Sequence, residues 1–159
     1  SPDLRILFVC LGNICRSPTA EAVFRAKAQR AGLASRLVID SAGTGSWHVS
    51  NPPDWRASAH AAKRGYDLSS LRARQIVRED FARFDRIFAM DHANLADLER
   101  LRQGAGAGHL GLFLDLVPRL RGRDVPDPYD GGEDGFEKVL DLVEEASAAL
   151  VTQLAQDDG

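Results

Sequence analysis

Five residues separate Cys10 from Arg16 in the segment CLGNICRSP, a spacing that lets a thiolate and a guanidinium close around one anion. The thiolate would be the nucleophile, and the planar guanidinium would grip two oxygens at once. The pairing alone says little, because Arg is about a tenth of the chain and motifs carry false positives. The residues between them say more. Gly12 and Asn13 tolerate left-handed backbone angles, so successive amides can point into the turn as an anion-binding nest. Ser17 and Pro18 suit a helix start, with Ser17 as cap, and the positive end of that helix faces the same point. Attack by Cys10 on a phosphate ester would give a cysteinyl-phosphate, and the leaving alcohol or phenol would need a proton. Asp127 in DVPDPYDGG is the best candidate acid, held extended between Pro126 and Pro128, with Asp124 and Asp130 as runners-up in the same loop.

These residues need elements to position them. The apolar run 5–10 (RILFVC) reads as a strand buried on both faces, ending at Cys10. A helix follows, with Ala20, Val23, Phe24, Ala28 and Ala31 on one face and Gly32 placed to stop it. Further strands are expected at 36–41, 86–90 and 110–114. Asp54 is placed to cap a helix ending at Gly65, 80–84 reads as a short helical turn, and 94–103 reads as an amphipathic helix. Residues 118–135 form a long polar loop, and the last helix carries Phe136, Val139, Leu140, Val143, Ala146, Leu150, Val151 and Leu154 on one face. Strands alternating with helices imply an α/β three-layer sandwich with a parallel sheet in the middle, and ligands in such folds bind beyond the carboxyl ends of the strands. Cys10 lies at such an end.

A chain of 159 residues fits one domain, 1–159. Its 44% apolar and 27% charged residues exclude a disordered or fibrous class. Net charge is -3, which gives no support for nucleic-acid or membrane binding, so any anion must be recognised locally. No run is long and apolar enough to span a membrane and no secretory signal is recognised, so the expected location is the cytoplasm, with export to a host cell as the alternative. Two cysteines, Cys10 and Cys15, are too few for a disulfide framework or a structural zinc site. His48, His60, His92 and His109 are scattered without metal-ligand spacing and read as surface or structural, so neither metal nor cofactor is expected.

Taken together, CLGNICRSP at 10–18, SAGT at 41–44, NPPD at 51–54, MD at 90–91 and DPYDGG at 127–132 resemble, in order, the low molecular weight protein tyrosine phosphatases. The resemblance implies a central four-stranded parallel sheet flanked by helices, with a phosphate-binding loop after the first strand. It implies Cys10 as nucleophile, Arg16 as phosphate binder, Asp127 as general acid, and no metal. Leu11, Gly12, Asn13, Ile14, Cys15 and Ser17 would form the substrate-binding loop, Ser17 would help the thiolate leave, and Ser41 would support the loop. Trp47 and Tyr129 would wall a cleft deep enough for an aryl phosphate, which makes a phosphotyrosine-containing protein the expected partner and a monomer, at most weakly self-associating, the expected state. Ile14 fits tyrosine-directed members, whereas similar protein-arginine phosphatases carry Thr there. Three residues depart from the pattern: Asp130 where many members have Tyr, His48 beside Trp47, and Leu71 where mammalian members have a His supporting the loop serine. Ala and Arg richness fits a bacterial protein from a GC-rich genome.

Other readings are weaker. A thioredoxin-coupled arsenate reductase needs further cysteines, and none follows Cys15. A non-catalytic phosphate-binding module would not need Cys10, Arg16 and Asp127 together. Cys15 has two readings, a packing residue in the loop or a redox partner that traps oxidised Cys10 as a disulfide.

Overall fold

The computed structural model describes residues 4–128 and 133–157. In chain order the elements are β1 (Leu4–Cys10), α1 (Arg16–Arg30), β2 (Leu37–Gly43), α2 (Trp55–Lys63), α3 (Asp80–Arg83), β3 (Arg86–Ala89), α4 (His92–Arg102), β4 (His109–Leu112) and α5 (Glu133–Asp157), with short 3-10 turns at Ala34–Arg36, Phe113–Leu116 and Pro118–Leu120.

The four strands form one parallel sheet in the order β2-β1-β3-β4. β1 lies inside it, and Ile6, Leu7, Phe8 and Val9 are all fully buried. Side chains alternate across a strand, so Ile6, Phe8 and Cys10 join the core beneath α1 and α5, while Leu7 and Val9 join the opposite core with Phe81 and Leu98. Sheet between helices is the three-layer architecture expected. Phe8 contacts the rings of Phe24, Phe88 and Phe113 at centroid distances of 5.8, 6.0 and 5.0 Å. Such pairs add about 0.5–1.5 kcal/mol each beyond area burial. From β1 the chain winds outward to β2 on one side and returns past β1 to β3 and β4 on the other. The strand order therefore switches between β1 and β3, and their carboxyl ends, at Cys10 and just before Asp91, flank the crevice where α/β sheets bind ligands.

Three expectations change in detail. The polar loop expected over 118–135 opens with the 3-10 turn Pro118–Leu120 and gives way to α5 at Glu133. β4 stops at Leu112, because Phe113 and Leu114, read as strand, turn into a 3-10 turn that buries both side chains. Ser17 does not cap α1: the helix starts at Arg16 with Cys15 in the cap position and no side-chain cap bond. The first amides of α1 thus stay uncommitted to a cap, and Pro18 occupies a first-turn position where a missing N–H costs nothing. Asp54 does cap α2, its carboxylate accepting from the Arg56 amide at 2.8 Å. No helix among the described residues is long and apolar enough to cross a membrane.

Candidate active site

Beyond β1 the chain turns tightly, with Asn13 at φ 57°, in the left-handed region that Asn tolerates better than most residues. This turn lays the Asn13 amide 3.3 Å from the Cys10 Sγ, and the Ser17 Oγ lies 3.0 Å from the same sulfur. Counting hydrogens fixes the direction of the surrounding bonds. The Asn13 Nδ2 has two, and it donates them to Ser17 Oγ at 2.7 Å and Ser41 Oγ at 3.0 Å. Ser41 spends its own hydrogen on Glu21 Oε1 at 2.6 Å. Ser17, accepting from Asn13, has its hydrogen left for Cys10 at 3.0 Å or for the Ala42 carbonyl at a longer 3.4 Å. The shorter contact favours sulfur, which then faces two donors. The Asn13 carbonyl oxygen accepts from the Arg74 amide, so this buried carboxamide is used on both sides.

Leu71, where mammalian members have a supporting His, makes no hydrogen bond to the loop serine through its side chain. Leu71 packs against the main core, and Glu21, buried on α1, takes the role of partner to Ser41. Burial pushes the Glu21 carboxyl upward, while hydrogen bonds from Ser41 and Arg25 pull it back.

Arg16 is 3% exposed. Its Nη1 donates to Asp91 Oδ2 at 2.6 Å and to the Val125 carbonyl at 3.0 Å, which uses both hydrogens of that nitrogen. Asp127 Oδ2 stands 3.6 Å from Nη2. Burial works against the guanidinium's charge, but Cys10, Asp91 and Asp127 outweigh it and hold its pKa above the ordinary value. Asp91 also caps α4, accepting from the Asn94 amide at 2.7 Å. In the sequence Asp91 stands only as part of the MD pair, and its place just after the carboxyl end of β3 is the signal that marks it.

Residues after β2 form the other wall. The amides of Thr44 and Gly45 donate to the carbonyls of Cys10 and Leu11, and the Asp54 amide donates to Ile14. Gly43 lies so close to the turn that a Cβ there would stand 2.7 Å from the Leu11 oxygen, and Gly45 lies under the Trp47 ring. Trp47 is 71% exposed.

The result is a cavity of about 260 Å³ lined by Cys10, Leu11, Gly12, Ile14, Cys15, Arg16, Trp47, His48 and Asp127. The side chains of Asn13 and Ser17, two residues of the expected loop, are buried and bonded to each other, and Asn13 is bonded on to Ser41. Asp124 is engaged elsewhere, accepting from the His92 amide and ring. Tyr129 and Asp130 lie outside the described residues. His48, the departure noted beside Trp47, stands against Gly12 in the cavity lining, whereas His60 is an internal residue paired with Glu137. Cys15 is a free, buried thiol packed with Ile14, Ala57, Ala73 and Phe136, and burial first, then the charges of Asp54, Cys10 and Asp127, push its pKa far up. Among the described residues no group of three or more His, Cys, Asp or Glu side chains is arranged to hold a metal ion.

The chain as a whole has similar proteins of known family. A low molecular weight protein-tyrosine-phosphatase of Streptomyces coelicolor is 45% identical over 155 residues, covering 96% of this chain and 94% of that protein. Among solved structures, YfkJ from Bacillus subtilis superposes with a TM-score of 0.92 at 36% identity, over 100% of this chain and 99% of its own. The Drosophila arginine phosphatase superposes with a TM-score of 0.88 at 31% identity, over 94% of this chain and 96% of its own. The family model for low molecular weight phosphotyrosine protein phosphatases matches residues 5–158, and the chain belongs to that family.

Proposed function

We propose that this chain hydrolyses phosphotyrosine in proteins, and small aryl phosphates, through a cysteinyl-phosphate and without a metal. The observation that carries the reading is the meeting of Cys10, Arg16 and Asp127 in one cavity, with two donors already aimed at the sulfur. The Cys10 thiolate attacks phosphorus as the bond to the tyrosyl oxygen breaks, and Asp127 gives its proton to that oxygen. The three phosphoryl oxygens sit among the turn amides and Arg16, whose Nε and Nη2 are free of the Asp91 and Val125 bonds. Water then attacks phosphorus and passes a proton to Asp127. The phosphorus–sulfur bond breaks, and the returning thiolate is received by Ser17 and the Asn13 amide. Leu11, Ile14 and Trp47 supply apolar cleft walls that suit a phenyl ring.

The test is hydrolysis of 4-nitrophenyl phosphate in EDTA. Cys10→Ser should abolish turnover, and Asp127→Ala should lower it by about 10²–10⁴. A burst of one nitrophenol per enzyme supports the covalent route, whereas full activity in Cys10→Ser would falsify it. Hydrolysis of phosphoarginine is the second reading, favoured by the likeness to the Drosophila arginine phosphatase. Ile14, in the cavity wall, argues for tyrosine. Comparing kcat/KM for phosphotyrosine and phosphoarginine decides between them.

A further inference from the structure

Among the described residues, Asp127 has fastened points before it and after it in the chain. Before it, the Val125 amide donates to the Met90 carbonyl and the Val125 carbonyl accepts from Arg16, so this point is tied to the residue just after β3 and to Arg16. After it stands Phe136, in the first turns of α5 and 3% exposed. Phe136 belongs to neither main core. It packs in a small separate cluster with Ile14 and Cys15 of the cradle, Ala57 of α2 and Ala73. The His60 ring stacks on it nearly parallel, at 7° and a centroid distance of 5.5 Å, and the Arg56 guanidinium lies 5.0 Å from its centroid. The adjacent Glu137 pairs with His60 at 2.5 Å and with Arg64 at 2.7 Å, so α2 holds this turn by charge as well as by packing. Gly135, the residue before Phe136, lies against Pro128: a Cβ there would be 3.5 Å from the Pro128 Cβ. Pro128 directly follows Asp127.

We infer that Phe136 is a positioning residue for the proton donor: seated between α2 and the back of the cradle, it presses the first turn of α5 against Pro128 and thereby sets the reach of Asp127 into the cavity. This rests on the proposed acid role of Asp127. An apolar anchor suits the task, because a packed ring has one position and transmits it through contact. Close placement matters because a proton donor works only within hydrogen-bond reach of the leaving oxygen.

The test compares kcat/KM for phenyl phosphate, whose leaving group needs a proton, with that for 4-nitrophenyl phosphate, whose leaving group needs it less. Phe136→Ala should lower the first about tenfold or more and the second about two- to threefold. Inhibition by inorganic phosphate should stay within about twofold, since the cradle is intact. Phe136→Leu keeps apolar volume without the ring contacts and gives the same readout, smaller, if the alanine variant folds poorly. In an Asp127→Asn background the leaving-group selectivity of Phe136→Ala should vanish. Equal losses on both esters, a parallel loss of phosphate inhibition, or additivity with Asp127→Asn overturns the inference. If Asp127→Asn alone shows no preference between the esters, the acid role itself is wrong, and that outcome is separate from the others.

Discussion

Asp91 grips Arg16 through Nη1 alone: a 2.6 Å ion pair takes one hydrogen of that nitrogen while the Val125 carbonyl takes the other. The remaining edge of the guanidinium is thereby oriented before any anion arrives. Asp91 simultaneously caps α4, so two functions share one carboxylate.

These functions are separable. Asn is as good a cap as Asp but carries no charge. Asp91→Asn and Asp91→Ala should both lose about 10- to 100-fold in kcat/KM for aryl phosphates, the worth of a charged hydrogen bond. Only the alanine variant should also lose about 1 kcal/mol of stability through the cap. Urea unfolding beside steady-state kinetics measures both, and wild-type kcat/KM in Asp91→Asn would show that Arg16 needs no such partner.

At Asn13 backbone and side chain make different demands. Asn13→Gly keeps easy access to φ 57° but loses the bonds to Ser17 and Ser41, whereas Asn13→Ala loses those bonds and is strained as well. Activity should fall in both, with alanine the less stable by about 1 kcal/mol. Equal unfolding midpoints for the two would show that the left-handed turn costs nothing here.

Gly43 and Gly45 call for contrasting outcomes. A methyl at 43 meets the backbone of Leu11 and Gly12, which cannot move without deforming the cradle. Gly43→Ala should therefore weaken phosphate inhibition and ester turnover together, at about 1–3 kcal/mol of overpacking strain. A methyl at 45 meets first the exposed Trp47 ring, a side chain free to rotate where a backbone is not. Gly45→Ala should raise KM for aryl esters while inorganic phosphate inhibits as before; a change in both would mean that Trp47 is not the element displaced.

Glu21 makes a pH-dependent prediction. Burial raises its carboxyl above the ordinary value despite the bonds from Ser41 and Arg25. The folded chain then binds this proton more tightly than the unfolded chain. On this group alone, stability falls as pH climbs from about 4.3, the unfolded-state value, through the folded one. Glu21→Gln cannot titrate. The wild-type advantage over Glu21→Gln in unfolding free energy should thus be larger at about pH 4 than at about pH 7.5, and an advantage that grows with pH runs against the sign derived.

Local features were the legible ones. RILFVC announces a strand buried on both faces because four consecutive side chains are apolar, and all four are fully buried. The face of α5 is equally plain, with Phe136, Val139, Leu140, Val143, Ala146, Leu150 and Leu154 inside. Ser17 misled because a hydroxyl before Pro suits a helix cap as well as it suits a thiolate partner, and only its neighbours in space decide. Asp91, Glu21 and Phe136 were illegible as site residues for the same reason. Each acts through a partner from another element, and nothing beside it in the chain names that partner.

The turn between β1 and α1 is short, yet its geometry is underwritten from afar: Asn13 is bonded 28 positions on to Ser41 and 61 positions on to Arg74, and Arg16 reaches 109 positions on to Val125. Closing longer loops costs only slowly more entropy, but contacts of such separation form after local ones. The cradle is therefore complete only once Val125 has been brought in from the far part of the chain. A fragment ending before Val125, even one that keeps the whole sheet, would present Cys10 on a turn without its final shape, and recovery of catalysis on refolding should trail recovery of helical signal.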